Sequence, residues 1–380
     1  MGHQADESFF ESKREWSKRK DAILEYYLTP YLAKVAKLRR PIVIVDGFAG
    51  PGVFDDGNDG SPLIIAKALS EARDRGAAVR LLAIESVPSL HERLRANLSS
   101  YEFAETRRSH FHEALPEIEQ VSRSSTTFLY VDPYAICGLD WSGLDTVFRQ
   151  IESNRSIELL LNFNASAFCR IARAVLKRPT VEQDDSSDDA SPSSLRTLAT
   201  LDTVAGGDWW RSVFTSTSEF TDEVEAIGRG VTERLRQRFA ETCEMPIKEH
   251  YHHTVPKYSL IFASRSGHAI QLINEAAVMD RRTWVDQEIP PEELLFESRP
   301  EDLVPRKEAL DELILDRLAG PMKRGDLARV IIRCEFGKYS TADINQAVSR
   351  LLRVRRVQAE AGKMRINDEV HLWRPKPHTQ

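Results

Sequence analysis

The sequence predicts an α/β protein: a doubly wound, mostly parallel sheet with a helical insertion and a C-terminal winged-helix-like domain. Three observations carry this. Short apolar runs alternate with helical patterns between residues 41 and 180. The first run, Pro41-Ile-Val-Ile-Val-Asp46, opens into a glycine-rich loop from Gly47 to Gly60. The segment from residue 305 to 380 has its own rhythm of short helices and then a hairpin pattern. A length of 380 residues suits two domains, and an apolar share of 41% is enough to fill a sizeable core.

Residues 1–40 form an N-terminal helical segment. Ile23, Tyr26, Tyr27 and Tyr31 fall near one face of a helix over Glu15 to Leu38, which Thr29-Pro30 should kink or break. Residues 41–180 carry the α/β repeat. After the first strand, Ser61-Pro62 reads as a hydroxyl N-cap followed by proline at the first helical position. Strands follow over Val79 to Glu85, weakly near Arg108 to His112, over Thr126 to Asp132 and over Ile157 to Asn162. Helices over Pro88 to Leu98, Ser142 to Ile151 and Ser166 to Leu176 lie between and after them.

Residues 181–245 combine an acidic, Ser-rich loop (Glu182 to Ser194), too poor in apolar groups to offset its ordering entropy, with a helical stretch from Leu201 to Glu241. Residues 246–300 supply the final strands and a helix of the α/β domain, the strands Lys248 to Val255 and Tyr258 to Ser264 forming an antiparallel hairpin that turns at Pro256-Lys257. In residues 305–380, Leu310, Leu313, Ile314 and Leu318 mark one helix, Asp326 to Ile332 a second, and Thr341 opens a third with Ile344, Val348, Leu351 and Leu352 inward. Arg355 to Trp373 reads as a hairpin turning at Lys363 or at Asn367-Asp368.

The four cysteines, Cys137, Cys169, Cys243 and Cys334, stand far apart, against a zinc site or a disulfide framework and in keeping with a reducing cytoplasm. No apolar stretch is long enough to span a bilayer, and the polar start does not read as a signal peptide, so no membrane partner is expected. His250, His252 and His253 suit a surface strand better than a metal site, because on a strand His253 faces away from the other two; no metal is expected. Trp209-Trp210 reads as packing. The net charge of −6 is uneven: residues 323–380 carry 13 Lys/Arg against 6 Asp/Glu, leaving an acidic body. A nucleic-acid contact through Arg350, Arg353, Arg355, Arg356 and Lys363 accounts for this; a solvated charged face does so equally well.

The chemistry concentrates at strand ends. In a doubly wound sheet the ligand lies beyond the carboxyl ends of the strands. There the sequence puts Asp46, then Phe48, Ala49, Gly50, Pro51 and Gly52, whose glycines would let backbone approach a ligand, with Ser61 at the next helix start. The loop lacks the Lys-Ser/Thr of a phosphate loop and the GxGxxG of dinucleotide folds. Glu85 ends the second strand, where a carboxylate can accept from both ribose hydroxyls. Asp132-Pro133-Tyr134 ends the fourth strand. Taken singly, each has a plain alternative: a tight turn, a solvated terminus, an Asp-Pro turn cap. Asn162-Phe163-Asn164 either lines the crevice or is a polar strand exit.

These residues resemble class I methyltransferases, and more closely the three-Cys-motif partner family (TcmP). The matching positions are Trp16 with Lys20 and the Tyr-rich first helix, Asp46-Gly-Phe-Ala-Gly-Pro-Gly52, Gly60-Ser-Pro62, Asp132-Pro-Tyr134 through Trp141, and Tyr258 to Ser264. The resemblance implies a methyltransferase-like fold with S-adenosylmethionine as cofactor, and a genetically associated three-Cys-motif protein as a partner.

Asp132-Pro133-Tyr134 is also similar to a shortened Asp-Pro-Pro-Tyr, the motif of amino-methyltransferases acting on adenine or cytosine. There the carboxylate and a backbone carbonyl hold the exocyclic amine, and an aromatic ring stacks on the flipped base. Here one proline is missing, which sets Tyr134 one residue out of register. Three readings follow: a nucleic-acid methyltransferase with Asp132, Pro133 and Tyr134 catalytic, a non-catalytic adaptor that keeps the cofactor fold, and a methyltransferase for protein or small molecules.

Overall fold

The computed structural model describes residues 10–150, 156–176, 192–214, 219–250, 253–288, 306–360 and 367–375. It divides into two compact units, Met1–Arg265 and Ser266–Gln380. That division falls ahead of the boundary expected between residues 300 and 305, which lies outside the described residues. Among the described residues no helix is long and apolar enough to cross a membrane.

The first unit is built on seven strands: β1 (Ile42–Asp46), β2 (Val79–Ile84), β3 (Ala104–Arg107), β4 (Thr126–Val131), β5 (Ile157–Phe163), β6 (Glu241–Ile247) and β7 (Tyr258–Ser264). Their order is β3-β2-β1-β4-β5-β7-β6. The first five are mutually parallel, and β7 runs antiparallel to β5 and β6. Every residue of β1, β4 and β5 is buried, as expected of strands covered on both faces.

Helices cover the two faces. α1 (Glu15–Val35) packs beside α2 (Ser61–Asp74), and its Tyr27 and Tyr31 meet Phe128 of the sheet at ring-centroid distances of 5.5 and 5.4 Å. The alternate residues Val43, Val45, Leu129 and Val131 face the other way. They pack with α4 (Phe111–Ser122), α5 (Trp141–Arg149), α6 (Ala165–Leu176), α7 (Pro192–Ala205) and α8 (Phe220–Arg236) in one apolar core. α3 (Pro88–Asn97) follows β2. Trp210 is fully buried in that core, in the packing role expected of it.

Several elements differ from the sequence reading. α1 runs unbroken through Pro30 to Val35. The third strand lies earlier, at Ala104–Arg107. It is a half-buried edge strand held by charge pairs of Glu105 with Arg80 and Arg107, so it carries little apolar signal. His110 instead caps α4. β6 occupies Glu241–Ile247, ahead of the expected Lys248 to Val255. It contains Pro246, whose missing N–H is tolerated because β6 is an edge strand. Gly60, not Ser61, is the N-cap of α2. Most of the acidic loop lies outside the described residues.

The second unit holds α9 (Gly267–Glu288), α10 (Lys307–Arg317), β8 (Met322–Lys323), α11 (Arg324–Cys334), α12 (Thr341–Arg353), β9 (Gln358–Ala359) and β10 (His371–Trp373). The strands form a small antiparallel sheet in the order β8-β10-β9. Leu310, Ile314, Leu327, Ile331, Ile344, Val348, Leu351 and Leu372 are buried. Ser340 and Asp343 close a capping box at the start of α12. Asn274 of α9 ties down the turn before it, donating to the Tyr339 carbonyl at 2.8 Å and accepting from the Gly337 N–H at 2.9 Å.

Candidate functional site

The carboxyl ends of β2, β1 and β4 lie side by side, and each is followed by an acidic residue or ends in one: Glu85, Asp46 and Asp132. In register, Asp46 stands between Ala83 and Tyr130. The loop beyond it turns through Gly50 (φ +61°) and Gly52 (φ +87°), left-handed conformations that glycine adopts without a Cβ penalty. A Cβ on Gly50 would stand 2.6 Å from Tyr134 Oη and 2.9 Å from the Phe10 ring; on Gly52 it would meet Leu63 at 2.8 Å. The room these glycines leave is thus filled by side chains of the protein itself.

Asp46 is fully buried and supports the loop from behind. It accepts from Ser61 Oγ at 2.6 Å and from the Phe48 N–H at 3.3 Å. Burial pushes its carboxyl up to about 7, against the lowering effect of these two bonds. Ser61 is therefore a partner of Asp46 and not the helix cap. Glu85, 3% exposed, accepts from the Gly50 N–H at 3.1 Å through one oxygen and from the Val87 N–H at 2.7 Å through the other. Its carboxyl is also raised by burial, again opposed by backbone donors. The Ser86 backbone also donates to this carboxylate, so three of its roughly four acceptor sites are taken within the chain and one is left for a ligand hydroxyl.

Asp132 is held by three side chains, the weakest contact being Tyr130 Oη, which donates to Oδ2 at 3.4 Å. Lys20 Nζ lies 2.5 Å from Oδ2, and Asn162 Nδ2 donates to Oδ1 at 2.6 Å. Lys20 reaches this point from α1 and is 3% exposed, its ammonium 5.1 Å from the Trp16 ring centroid and 5.0 Å from that of Tyr258. One residue on, Asp21 pairs with Lys13 at 2.6 Å; burial raises its carboxyl, opposed by the Lys13 and Lys20 charges. Tyr134 Oη donates to the Phe48 carbonyl at 3.2 Å, and its ring meets Phe10 edge-on at 5.5 Å.

Two cavities open here. One, of about 290 Å³, is lined by Phe48, Ala49, Pro51, Gly52, Ser61, Asp132, Pro133 and Tyr134 together with Trp16, Lys20, Asp21 and Tyr258. The other, of about 270 Å³, is lined by Glu85, His110 and Phe111, and shares Phe48, Tyr134 and Ala135 with the first. The strand-end residues singled out in the sequence therefore converge, eight of them on one cavity, with Glu85 on the other and Asp46 and Gly50 buried behind.

Asp21 and Lys13 are missing from that set, and Lys20, Trp16 and Tyr258 entered it only through the family resemblance. A signal was present: Trp16, Lys20, Ile23 and Tyr27 share one helical face, so Lys20 is a charge within an apolar stripe. His250 and His253 lie in the connection between β6 and β7, their rings 5.1 Å apart, and His252 is outside the described residues. Among the described residues no group of three His, Cys, Asp or Glu is placed to hold a metal.

In the second unit Arg353, Arg355 and Arg356 are exposed at the end of α12, Arg355 in a left-handed conformation. Arg350 does not join them: it pairs with Asp311 of α10 at 2.7 Å. Lys363 lies outside the described residues.

No family model matches the chain, and no curated protein matches it. Among solved structures, it is similar to a Legionella pneumophila str. Philadelphia 1 protein of family-model DUF519, with 9% identity over 74% of this chain and 95% of that one (TM-score 0.42). It is similar to a SAM-dependent methyltransferase from Agrobacterium tumefaciens, with 11% identity over 65% of this chain and 62% of that one (TM-score 0.30). It is also similar to the plantazolicin methyltransferase BamL, whose structure contains SAH, with 13% identity over 68% and 90% of the two chains (TM-score 0.31). By its own strand order and pairing, the first unit has a methyltransferase-like α/β fold: a seven-stranded, mostly parallel sheet flanked by helices.

Proposed function

We propose that the chain is an S-adenosylmethionine-dependent methyltransferase acting on an exocyclic amine of a nucleic-acid base. The observation that carries this is the convergence of Glu85, the Asp46 loop and Asp132 at the ends of three adjacent parallel strands, around two cavities that meet at Tyr134. In this reading Glu85 holds the ribose, the Phe48 to Gly52 loop lies along the cofactor, and Asp132 faces the acceptor.

Bound S-adenosylmethionine supplies an electrophilic methyl on a positively charged sulfur. An acceptor nitrogen would take that methyl as the S–C bond breaks, the bonding pair would stay on sulfur as a thioether, and the nitrogen would lose a proton to solvent. Asp132 accepts from an acceptor N–H and aims the lone pair; Asn162 keeps the carboxylate oriented while it does so. Tyr134 and Phe48 supply aromatic walls. The second unit, read as a winged helix, brings Arg353, Arg355 and Arg356 to the phosphate backbone.

Calorimetry with S-adenosylmethionine, followed by methyl transfer to a panel of DNA and RNA, tests the proposal. Glu85→Ala should weaken cofactor binding by ~1–3 kcal/mol, the loss of a charged hydrogen bond. Unchanged affinity in a folded variant sinks the ribose role. Asp132→Asn should spare cofactor affinity and cut turnover about 100-fold or more.

A second reading has its own support. Both oxygens of Glu85 and both of Asp132 already accept bonds from within the chain, as suits a non-catalytic adaptor binding a partner protein or DNA through the second unit. Cofactor binding without transfer to any substrate of the panel would favour it.

A further inference from the structure

We infer that the Lys20 ammonium is a resident stand-in for the acceptor: it fills the subsite beside Asp132 that an acceptor amine takes, and it leaves when the acceptor enters. This deepens the methyltransferase reading and rests on it.

The subsite is built to hold a nitrogen that carries protons. Its polar end is Asp132 Oδ2, 2.5 Å from Nζ. Its sides are the rings of Trp16 and Tyr258, themselves 5.0 Å apart, which turn their electron-rich faces to a cation or an N–H. A subsite of one carboxylate and two ring faces attracts an amine and repels a carboxylate or phosphate acceptor.

Lys20 is poorly satisfied there. An ammonium has three N–H donors, yet among the described residues its hydrogen-bond acceptor is Asp132 alone, and the side chain is almost wholly buried. Such a pair adds little stability beyond what apolar side chains of the same volume would supply. As part of the catalytic cleft the arrangement makes sense. Lys20 lines the same cavity as Ala49, Gly52 and Tyr134, so its ammonium and the glycine loop face one space. Its four-carbon stem can swing the charge away by rotamer changes. Asn162 then remains on Oδ1 and Tyr130 Oη stays 3.4 Å from Oδ2, keeping the carboxylate aimed while Oδ2 loses its charged partner. Lys20 thereby keeps Asp132 paired between turnovers and sets a preference for acceptors that replace an ammonium.

The same chemistry has two sources, the acceptor amine or the cofactor's own α-ammonium, and three ligands separate them. 5′-Methylthioadenosine lacks the amino-acid end, S-adenosylhomocysteine adds it, and sinefungin carries a further amine where the cofactor bears its methyl. Their affinities for full-length wild type, Lys20→Met and Lys20→Met/Asp132→Asn are measured by calorimetry. The preference for sinefungin over S-adenosylhomocysteine should rise about tenfold or more in Lys20→Met, because the freed carboxylate gains a charged partner, and vanish again in the double variant. An unchanged preference in Lys20→Met overturns the inference. So does a gain that appears instead in S-adenosylhomocysteine over 5′-methylthioadenosine, which would assign the subsite to the cofactor. If Lys20→Met does not fold, Lys20→Gln takes its place, and the ratio is insensitive to the folded fraction. Wild type that binds none of the three removes the cofactor reading itself, and this inference with it.

Discussion

Lys20 Nζ and Asp132 Oδ2 stand 2.5 Å apart, joining the N-terminal helix to the end of the fourth strand across 112 residues of chain. Removing one member leaves the other charge buried or nearly so, since the Asp132 side chain is 23% exposed and that of Lys20 far less. Lys20→Met should therefore destabilise the fold by ~2–4 kcal/mol, and Lys20→Met/Asp132→Asn should recover most of the loss. Urea melts of the two variants check this. Equal destabilisation would mean that packing of the lysine stem, and not the charge pair, matters.

Gly50→Ala is expected to cost ~1–3 kcal/mol, from its positive φ and from the approach of the new methyl to Tyr134 Oη and Phe10. Tyr134→Phe removes the nearer of those atoms, so the two substitutions together should cost less than their sum. Strict additivity in thermal denaturation would show that the backbone alone sets the cost.

Two buried carboxyls make stability fall as pH rises. Asp46 and Glu158 are each pushed up to about 7 by burial, against ordinary values of 3.8 and 4.5. Glu158 accepts from Tyr27 Oη and from Ser264 Oγ in the interior. A folded-state value above the unfolded one favours the fold fully below about pH 4, and that contribution is lost as pH climbs through 7. The stability of wild type relative to Asp46→Asn should therefore decline between about pH 4 and pH 7.5 and then level off. About 4 kcal/mol is an upper bound, at roughly 1.4 kcal/mol per pKa unit. A flat difference across that window would place the Asp46 value near its ordinary one.

Reversing Arg353, Arg355 and Arg356 to Glu in the full chain should weaken duplex binding at low salt by at least about tenfold. The salt dependence should become shallower by about 2 to 3 in its logarithmic slope, as each lost phosphate contact removes nearly one unit. Arg350→Ala should act mainly on stability, because Asp311 already engages that side chain. Identical binding by wild type and the triple variant would exclude this surface from nucleic-acid recognition.

The alternation of β-branched runs with helical patterns is local, and a parallel sheet must bury both faces, so β1, β2, β4 and β5 were legible to within a residue or two. Asp46, Glu85 and Asp132 were legible as site candidates for the same reason: each closes a strand, and strand ends share one edge of such a sheet. β3 and β6 were misplaced because edge strands answer to pairing with one neighbour and carry weaker apolar patterns. What only the tertiary structure decided is who touches the carboxylates. Ser61 turned from helix cap to Asp46 partner, Arg350 turned inward to Asp311, and Lys20 met Asp132 from more than a hundred residues away. A charge within an apolar helical face shows that it needs a buried counter-charge, because desolvation is costly. It cannot say which carboxylate that is, because the partner is chosen by how α1 lies across the sheet and not by any spacing along the chain.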